Sequence, residues 1–532
     1  MQKPAPEGQT HTETASVEEP QPHRKSLAQK GTVQFLGQAF GLVLAVLVSH
    51  LIARRLGVGL EADAFILGRR LITAVTETLN QVVSIVFVPL VAAQAAAGAG
   101  LWVILRRAAG PAFLVGALLA VLFIVSAPAL VSIVAADFAE PAKALAARVM
   151  IALSLALPAS VITMALVSYC NINDIFGTPA ALKQLPRAGV ALALILAVEG
   201  SVAITAAWAY TGAAFAVVAL ILGLILLKAA PHSKIKPASV PTQSAATARR
   251  GLAAMIIAGA ALTFLWMETY VAASLGPGSV ATLDYGQRLG ALLGNTLATA
   301  LGLVVFVDLA RRAASGEEHT LGTAFRSAAI NGVALTIPIA VGVAINAGAM
   351  VDLVLGYGAF TENSQRDEVV RLVQLMALAP VPALVLRIMY ARIVADAALP
   401  MVRLLLLAMA ADFIARVLMF WLLTSVLGLA GIAVTLICAP VFTGLALIIA
   451  LRGQGVFGSG MPSLAPMRKM LILSGMTVAA LVIGAALADQ LVAEVQGKSK
   501  AAIELGISGG LGIAVALATI LGLRIKPKLT SS

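Results

Sequence analysis

Leu56-Gly57-Val58-Gly59 opens a stretch that ends with Phe87-Val88-Pro89-Leu90, and Leu275-Gly276-Pro277-Gly278 opens another that ends with Phe306-Val307-Asp308-Leu309. The two stretches lie 219 residues apart at both ends, and the same offset places Arg69 on Arg288. A charged side chain inside an apolar span is costly, so its recurrence at one position is stronger evidence for a repeat than apolar letters alone. The sequence therefore predicts two homologous halves.

The composition around these stretches is that of a membrane protein. Of the 532 residues, 60% are hydrophobic and only 12% are charged, whereas about a quarter of the residues are charged in soluble domains. Apolar runs of about 20 residues, the length that spans a bilayer as a helix, recur along nearly the whole chain. We therefore predict an all-α polytopic membrane protein with fourteen transmembrane helices.

The positive charges are distributed unevenly between the two sides of such a protein. With fourteen spans, 24 Lys and Arg residues fall on the side of the termini and 8 on the other side. Loops rich in Lys and Arg stay in the cytoplasm, so both termini are predicted to be cytoplasmic and the protein to be multi-pass in the bacterial cytoplasmic (inner) membrane. This bias accounts for the net charge of +12 without a nucleic-acid partner.

The predicted organisation follows from the repeat and from breaks in hydrophobicity. Residues 1–30 read as a disordered cytoplasmic tail, 31–228 as the N-terminal six-helix half and 229–249 as a basic cytoplasmic linker. Residues 250–451 form the C-terminal six-helix half, 452–524 two additional helices and 525–532 a cytoplasmic tail. Because six is even, the halves are parallel repeats, which enclose a central cavity in transporters of this kind.

Polar side chains recur every three or four residues on the second and eighth predicted helices, which gives each helix one polar face. The candidate substrate-binding residues are Asp63, Arg69, Arg70, Glu77, Asn80, Asp284, Arg288 and Asn295. Arg69, Arg70 and Arg288 are predicted to face one water-filled cavity between the halves. Interhelical ion pairs that involve Glu268 are the alternative. Asp63 is also a plausible N-terminal cap of its own helix, and Arg387, Arg392, Arg403 and Arg416 are predicted to reach the membrane interface.

Motifs of enzymes and pumps give no support for catalysis. The sequence has no G-x-x-x-x-G-K-[ST] phosphate-binding loop, and its five histidines and two cysteines show no metal-ligand spacing. Residues 506–510 match G-x-S-x-G but lie in an apolar span, where small residues favour helix packing. We therefore expect a transporter that is not an enzyme and has no cofactor.

Several segments, in order, resemble the MurJ/MviN lipid II flippases of the multidrug/oligosaccharidyl-lipid/polysaccharide exporter superfamily. Residues 52–65 (Ile-Ala-Arg-Arg-Leu-Gly-Val-Gly-Leu-Glu-Ala-Asp-Ala-Phe) with Phe87-Val88-Pro89 resemble the start of those proteins. Tyr285-Gly286-Gln287-Arg288-Leu289, with Asp308-Leu309-Ala310-Arg311 after it, is similar to the family's Tyr-Ala-x-Arg-Leu helix. Leu355-Gly356-Tyr357-Gly358-Ala359-Phe360-Thr361 is similar to its Tyr-Gly-x-Phe-Thr segment.

The resemblance implies fourteen helices, a cytoplasmic N-terminus and a groove for a polyprenyl-pyrophosphate-linked saccharide that crosses the membrane by alternating access. The chain departs from the family on its first helix, which lacks the arginines of a Ser-Arg-x-x-Gly-Phe-x-Arg stretch. It also has Thr73-Ala74-Val75-Thr76-Glu77 where the family has Pro-Asn-x-x-Arg-Arg. The expected partners are membrane lipids and a lipid-linked saccharide, either lipid II or a related glycan precursor, while the oligomeric state is left open.

Two other classes remain open at this point. One is a cation- or proton-coupled small-molecule exporter of the same superfamily, which would use cavity acids such as Glu77, Glu268 and Asp284. The other is a non-transporting membrane partner of a glycan synthase. The sign of the charge in the cavity separates the first class from a flippase, because an anionic lipid needs a positive cavity and a cationic solute a negative one.

Overall fold

The computed structural model describes the backbone of residues 27–96, 106, 110–172, 175, 178–198, 200, 202–228, 245–314, 318–362, 365–396, 399–452, 464–492, 495 and 497–522. Most of the predicted N-terminal tail, most of the predicted linker and the whole C-terminal tail lie outside these residues, as does the side chain of Asn80. Within the described ranges the regular structure is helical throughout, which agrees with the predicted all-α class.

Eight helices cover the predicted N-terminal half. They are α1 (Leu27–Leu56), α2 (Leu60–Ala96), α3 (Gly110–Val134), α4 (Glu140–Ser154), α5 (Leu157–Ile172), α6 (Thr178–Leu182), α7 (Leu185–Leu196) and α8 (Val202–Lys228).

Eight further helices cover the predicted C-terminal half, and two follow it. The eight are α9 (Ala245–Ala273), α10 (Ser279–Ala314), α11 (Glu318–Ile345), α12 (Ala347–Val354), α13 (Arg366–Met376), α14 (Pro380–Ala395), α15 (Met401–Leu427) and α16 (Leu429–Ala450). A 3₁₀ turn covers Gly358–Phe360, and the last two helices are α17 (Leu464–Leu491) and α18 (Lys498–Gly522).

Eleven segments of the described chain are helical, long and apolar enough to cross a membrane. They include two interrupted helices, α4 with α5 and α13 with α14. Neither α1 nor α2 nor the pair α6 and α7 is among these eleven segments. The protein is thus a multi-pass membrane protein, while the count of fourteen spans stays a prediction.

The helix boundaries follow the register of the repeat. The second helix of the N-terminal half begins at Leu60 and its counterpart α10 begins at Ser279, which are 219 residues apart. Before each helix lies a glycine with a positive φ, Gly57 at 63° and Gly276 at 111°. The second helix of each half also packs against the interrupted helix of its own half, α2 against α4 and α5, and α10 against α13 and α14. These equivalences support the predicted repeat.

The two halves meet closely at the end of the molecule where α1 finishes and α10 starts. Asp63 on α2 accepts hydrogen bonds from the backbone N–H groups of Gly278 and Ala281, and the Tyr285 hydroxyl donates to the carbonyl oxygen of Gly57 at 2.9 Å. Asp63 therefore caps the N-terminus of the opposite half's α10. The prediction that it caps its own helix is wrong, because the free N–H groups that its carboxylate meets belong to a facing helix.

We call this contact between the two halves the closed junction. Elsewhere in it, backbone packs directly against backbone. A Cβ atom at Gly57 would lie 2.8 Å from the carbonyl oxygen of Ala359, and one at Gly358 would collide with the carbonyl oxygen of Arg54. Both glycines have positive φ, a conformation that glycine adopts without strain. Glycine at both positions thus lets the α1–α2 turn pack directly against the 3₁₀ turn of the C-terminal half.

Candidate functional site

A buried network of charged side chains joins α2 of the N-terminal half to α9 and α10 of the C-terminal half. Arg69 donates to Asp284 at 2.6 Å, and Arg70 donates to Glu268 at 2.6 Å. Arg288 donates through its Nε to the same Asp284 oxygen as Arg69, at 2.7 Å. We call these five residues the arginine network. It contains three arginines and two acids, so it carries one excess positive charge when all are ionised.

Further contacts hold Arg70 in this network. Its Nη1 donates to the side-chain oxygen of Gln287 at 2.9 Å and lies 3.7 Å from Asp284. Its Nε donates to the hydroxyl of Thr269 at 3.2 Å. Gln287 in turn donates to Glu268. Burial of an ion pair is tolerated when such hydrogen bonds satisfy the remaining donors and acceptors.

The arginines of the network differ in their access to solvent. The side chains of Arg69 and Arg70 are 9% and 5% exposed, whereas that of Arg288 is 32% exposed. The prediction that all three face a water-filled cavity is therefore wrong for Arg69 and Arg70, because Asp284 and Glu268 draw them into buried pairs. Only Arg288 offers its guanidinium to solvent.

The other predicted site residues also divide into exposed and buried ones. Glu77 and Asn295 are exposed, Asp284 is buried in the network and Asp63 is fully buried in the closed junction. Asp63 and Asp284 thus position helices and arginines in this structure. Glu77, Arg288 and Asn295 are the described candidates that a ligand can reach, and substrate binding by any of the predicted residues remains a prediction.

Three basic residues that were not predicted as site residues lie beside Glu77 or farther along the polar face of α10. Lys183 and Arg187, from the α6–α7 segment, interact electrostatically with Glu77, and Arg187 also interacts with Arg288. Arg387 on α14 donates to the hydroxyl of Thr299 on α10 at 2.6 Å. All three are exposed to solvent although protein surrounds them on most sides. This combination is typical of a solvent-filled cleft.

Sequence reasoning had assigned these residues to other surroundings. Lys183 and Arg187 are among the 24 Lys and Arg residues that the sequence predicts on the side of the termini, and Arg387 is predicted to reach the membrane interface. Arg387 instead continues the polar face of α10, and Arg416 pairs with buried Asp412 at 2.7 Å while stacking on Phe264. The interface prediction is therefore wrong for both. A signal was present for Arg387, since Thr299 extends the polar face that carries Arg288.

The sign of the charge in this region follows from the described groups. The arginine network contributes one positive charge, Lys183, Arg187 and Arg387 contribute three, and Glu77 removes one, which gives a total of +3. We use the name central basic cluster for the arginine network, which includes Arg288, together with four exposed residues, Glu77, Lys183, Arg187 and Arg387. Such a cluster attracts an anion and repels a cation.

The G-x-S-x-G match and the possible metal ligands do not add a second site among the described residues. Ser508 of the G-x-S-x-G match is fully buried within α18, where it donates to the carbonyl oxygen of Leu481 at 3.2 Å and accepts from Asn346 at 3.1 Å. It is thus a packing residue between helices. Among the described residues, no group of three His, Cys, Asp or Glu side chains is arranged to hold a metal ion.

A family model described as lipid II flippase MurJ matches residues 52–495. The chain belongs to this family. The match spans both halves, the arginine network and the closed junction, so the site lies within the part that the MurJ family shares. A comparison with curated proteins gives no match.

One solved structure of a MurJ protein shares the fold of this chain. A lipid II flippase MurJ in an inward closed conformation gives a TM-score of 0.68 at 13% identity, with 93% of this chain and 100% of that chain covered. The Vibrio cholerae MATE transporter VcmN gives 0.48 at 16% identity over 80% of this chain and 99% of that one. The eukaryotic MATE transporter AtDTX14 gives 0.46 at 13% identity, with coverages of 84% and 100%. The first likeness shows a MurJ-like fold.

Proposed function

We propose that the protein is a flippase that translocates a polyprenyl-pyrophosphate-linked saccharide, lipid II or a related glycan precursor, across the bacterial cytoplasmic membrane by alternating access. The carrying observation is the exposed Arg288 guanidinium, which the buried carboxylate of Asp284 holds through Nε. Membership of the MurJ family supports the choice of a lipid-linked cargo.

The chemistry of Arg288 suits a pyrophosphate. Because Nε is bound to Asp284, the two terminal nitrogens of the guanidinium can both donate to phosphate oxygens. Arginine forms such paired hydrogen bonds with phosphate, whereas the lysine ammonium acts as a point charge. The saccharide would occupy the solvent-filled cleft beside Glu77 and Asn295, and the polyprenyl chain would remain among membrane lipids.

Alternating access would use the two predicted six-helix halves. The closed junction would lie on the extracytoplasmic side if both termini are cytoplasmic, as the positive charges predict. Cargo would then enter between the halves from the cytoplasm, and opening of the junction would release it outside. Fourteen transmembrane helices and two parallel repeats belong to this proposal.

The charge of the site gives less support to the two alternative functions. A cation- or proton-coupled exporter would need accessible acids, but Glu268 and Asp284 are buried in ion pairs and Glu77 interacts with two basic side chains, Lys183 and Arg187. A non-transporting partner of a glycan synthase would need no exposed positive charge between its halves. The charge of the central basic cluster therefore favours transport of an anion over both.

Complementation tests the proposal. We expect the gene to support growth of cells in which the main lipid II flippase is depleted, and the purified protein to move a fluorescent lipid II across the bilayer of proteoliposomes. A variant with Arg288→Ala is the inactive control. Export of a cationic dye without movement of lipid II would contradict the proposal and favour the exporter.

A further inference from the structure

A cavity of about 610 Å³ lies beside the closed junction and shares no lining residue with the central basic cluster. Its lining comes from the α1–α2 turn and the α7–α8 connection of the N-terminal half, and from the 3₁₀ turn of the C-terminal half. Sites for small molecules have volumes of about 300–1,000 Å³. The cavity is therefore large enough for a ligand that contacts both halves at once.

Arg55 is fixed in the wall of this cavity by the end of α7. Its Nε donates to the carbonyl oxygen of Leu194 at 2.9 Å, and its Nη2 donates to that of Ile195 at 2.7 Å. The last carbonyl groups of a helix lack partners within the helix, so these two bonds satisfy the end of α7. A guanidinium has five N–H donors, and none of the described hydrogen bonds of Arg55 uses Nη1. Arg55 is thus a positioned cation with donors left for a ligand.

Arg54 and Glu362 line the cavity from opposite halves. A Cβ atom at Gly358 would lie 3.0 Å from Cγ of Arg54, so the Arg54 side chain begins beside the 3₁₀ turn, and Glu362 follows that turn. Both residues are exposed. Within the part of the chain that the structure describes, neither side chain makes an ion pair or a hydrogen bond. Both charges are therefore available to a molecule in the cavity.

The two walls of the cavity differ in the sign of their charge. The N-terminal half contributes Arg54, Arg55 and Glu61, which sum to one positive charge, and the C-terminal half contributes the negative Glu362. We propose that the cavity binds a small zwitterion, whose anionic group accepts hydrogen bonds from the two arginines and whose ammonium donates to Glu362. A guanidinium pairs well with a carboxylate or a phosphate, and an ammonium has three donors for a carboxylate.

A zwitterion bound in this way would hold the closed junction closed. Its two ends contact different halves, so it binds only while Arg54 and Glu362 face each other across the cavity. A ligand that binds one of two states shifts the population toward that state. At a concentration one hundred times its dissociation constant, such a ligand would make the open state about a hundredfold rarer. The cavity would thus be an inhibitory site, separate from the cargo site of the proposed function.

Calorimetric titration of the purified full-length protein tests the site. The protein is placed in nanodiscs of phosphatidylglycerol, a lipid without an ammonium group, and the probe is glycylglycine. We expect glycylglycine to bind at least tenfold more tightly than its N-acetylated form, which lacks the ammonium, or its C-amidated form, which lacks the carboxylate. Glycerophosphoethanolamine carries a phosphate instead of the carboxylate. Tighter binding of this compound would identify a phospholipid headgroup as the source of the zwitterion, and weaker binding a peptide.

Two results would overturn the zwitterion site. One is equal affinity for glycylglycine and for both of its blocked forms. The other is that neither glycylglycine nor glycerophosphoethanolamine binds.

Substitutions of exposed residues test whether the ligand bridges the halves. Arg54→Gln and Glu362→Gln should each weaken glycylglycine binding at least tenfold, because each removes the charge that meets one end of the zwitterion. Arg371→Gln and Glu368→Gln are the matched controls, since they remove exposed charges of α13 that do not line the cavity. Both should leave the affinity unchanged. A loss of affinity with only one of the two cavity substitutions would contradict a ligand that bridges the halves.

Hydrogen exchange measures the effect on the closed junction. The backbone N–H groups of Gly278 and Ala281 donate to Asp63, so their exchange should require opening of the junction. Saturating glycylglycine should slow this exchange in the wild-type protein but not in Glu362→Gln. Binding without slower exchange would refute the inhibitory role. If glycylglycine binds and slows exchange in a protein that does not move lipid II, the site stands and the proposed function is wrong.

Discussion

Asp284 is the residue on which the site depends, because it binds two arginines and leaves one of them reachable. Arg69 neutralises it from the other half, and Arg288 uses it as an anchor. Arg70 lies 3.7 Å away as a third positive charge. Arg288 is therefore not needed to neutralise Asp284, which separates a ligand-binding role from a purely structural one.

Replacement of Arg288 by Ala should abolish flipping while the protein remains folded and inserted. Asp284 keeps Arg69 and Arg70, so no buried acid is left unpaired. Loss of a hydrogen bond to a charged group costs about 1.5–3 kcal/mol, or roughly tenfold or more in affinity, and Arg288→Lys should retain part of the activity. Transport in proteoliposomes and melting temperature in detergent measure the two effects.

Replacement of Asp284 by Ala should lower stability, in contrast to replacement of Arg288. It leaves Arg69 buried without its acid, and loss of one partner from a buried ion pair costs about 3–5 kcal/mol. We expect low expression and a lowered melting temperature. A fall in stability as large for Arg288→Ala, or recovery of full transport in the double substitution, would count against a substrate role for Arg288.

At this scale the sequence predicts which residues are polar and on which helix face they lie. It offers Glu268 as a partner of either Arg70 or Arg288, but it does not determine the pairing of Arg69 with Asp284, which are 215 positions apart. Lys183 and Arg187 were missed because a charge near a helix end looks the same in sequence whether it faces the cytoplasm or a cleft. Their position depends on how α6 and α7 pack beside α1.

Helix α10 packs closely against neighbouring helices through three glycines. Its face opposite the polar residues carries Gly286, Gly290 and Gly294, and a Cβ atom at each would lie 2.6 Å from an atom of Leu372, Val373 or Pro380 respectively. Small residues at such spacing let membrane helices approach closely. The polar face of α10 is therefore held in place by the interrupted helix α13–α14 behind it.

Substitution of Gly290 by Ala should destabilise the protein by about 1–3 kcal/mol, the usual cost of overpacking, because its Cβ would meet the carbonyl oxygen of Val373 and Cβ of Met376. Gly302→Ala on the same helix is the matched control. The nearest atom there, Cβ of Arg387, is 3.9 Å away, and alanine favours helix over glycine. Melting temperatures of both variants in one detergent should differ in this order.

The interruptions of the long helices were not predicted. Apolar periodicity runs through residues 155–156 and 377–379 without a change, and Pro158 and Pro380 lie just after each break. Proline lacks a backbone N–H and fits the first turn of a helix, so each proline is compatible with a new helix start. A proline inside an apolar run can equally be accommodated, as Pro128 is within α3, and tertiary packing decides between the two.

For the whole molecule, the proposed cycle requires the closed junction to break for release on that side. Asp63→Asn should favour opening, because an amide has one acceptor oxygen where the carboxylate has two for Gly278 and Ala281. A cysteine at Ala281, which is fully buried, should react with a membrane-impermeant maleimide only when Asp63→Asn is also present. Glu61→Gln is the control, since Glu61 is exposed nearby. Equal labelling in all backgrounds would contradict this role.

The predicted orientation has its own test. In a background without Cys170 and Cys438, a cysteine at Asp137 should be labelled by an impermeant maleimide in intact cells, whereas one at Arg452 should react only after lysis. Both positions are exposed, so burial does not interfere. The reverse pattern would place the termini outside and would contradict the orientation inferred from the positive charges.

If the protein is the proposed flippase, the surplus of positive charge in the central basic cluster would tie transport to the membrane potential. Each phosphoryl group of a pyrophosphate diester carries a negative charge, so the occupied cluster would keep one positive charge and the vacant cluster three. A charge that crosses the whole field gains or loses about 2.3 kcal/mol per 100 mV. An inside-negative voltage therefore opposes the outward step weakly and drives the return of the vacant site strongly. The electric field of the cell would reset the transporter after each cargo, without nucleotide hydrolysis by the protein itself.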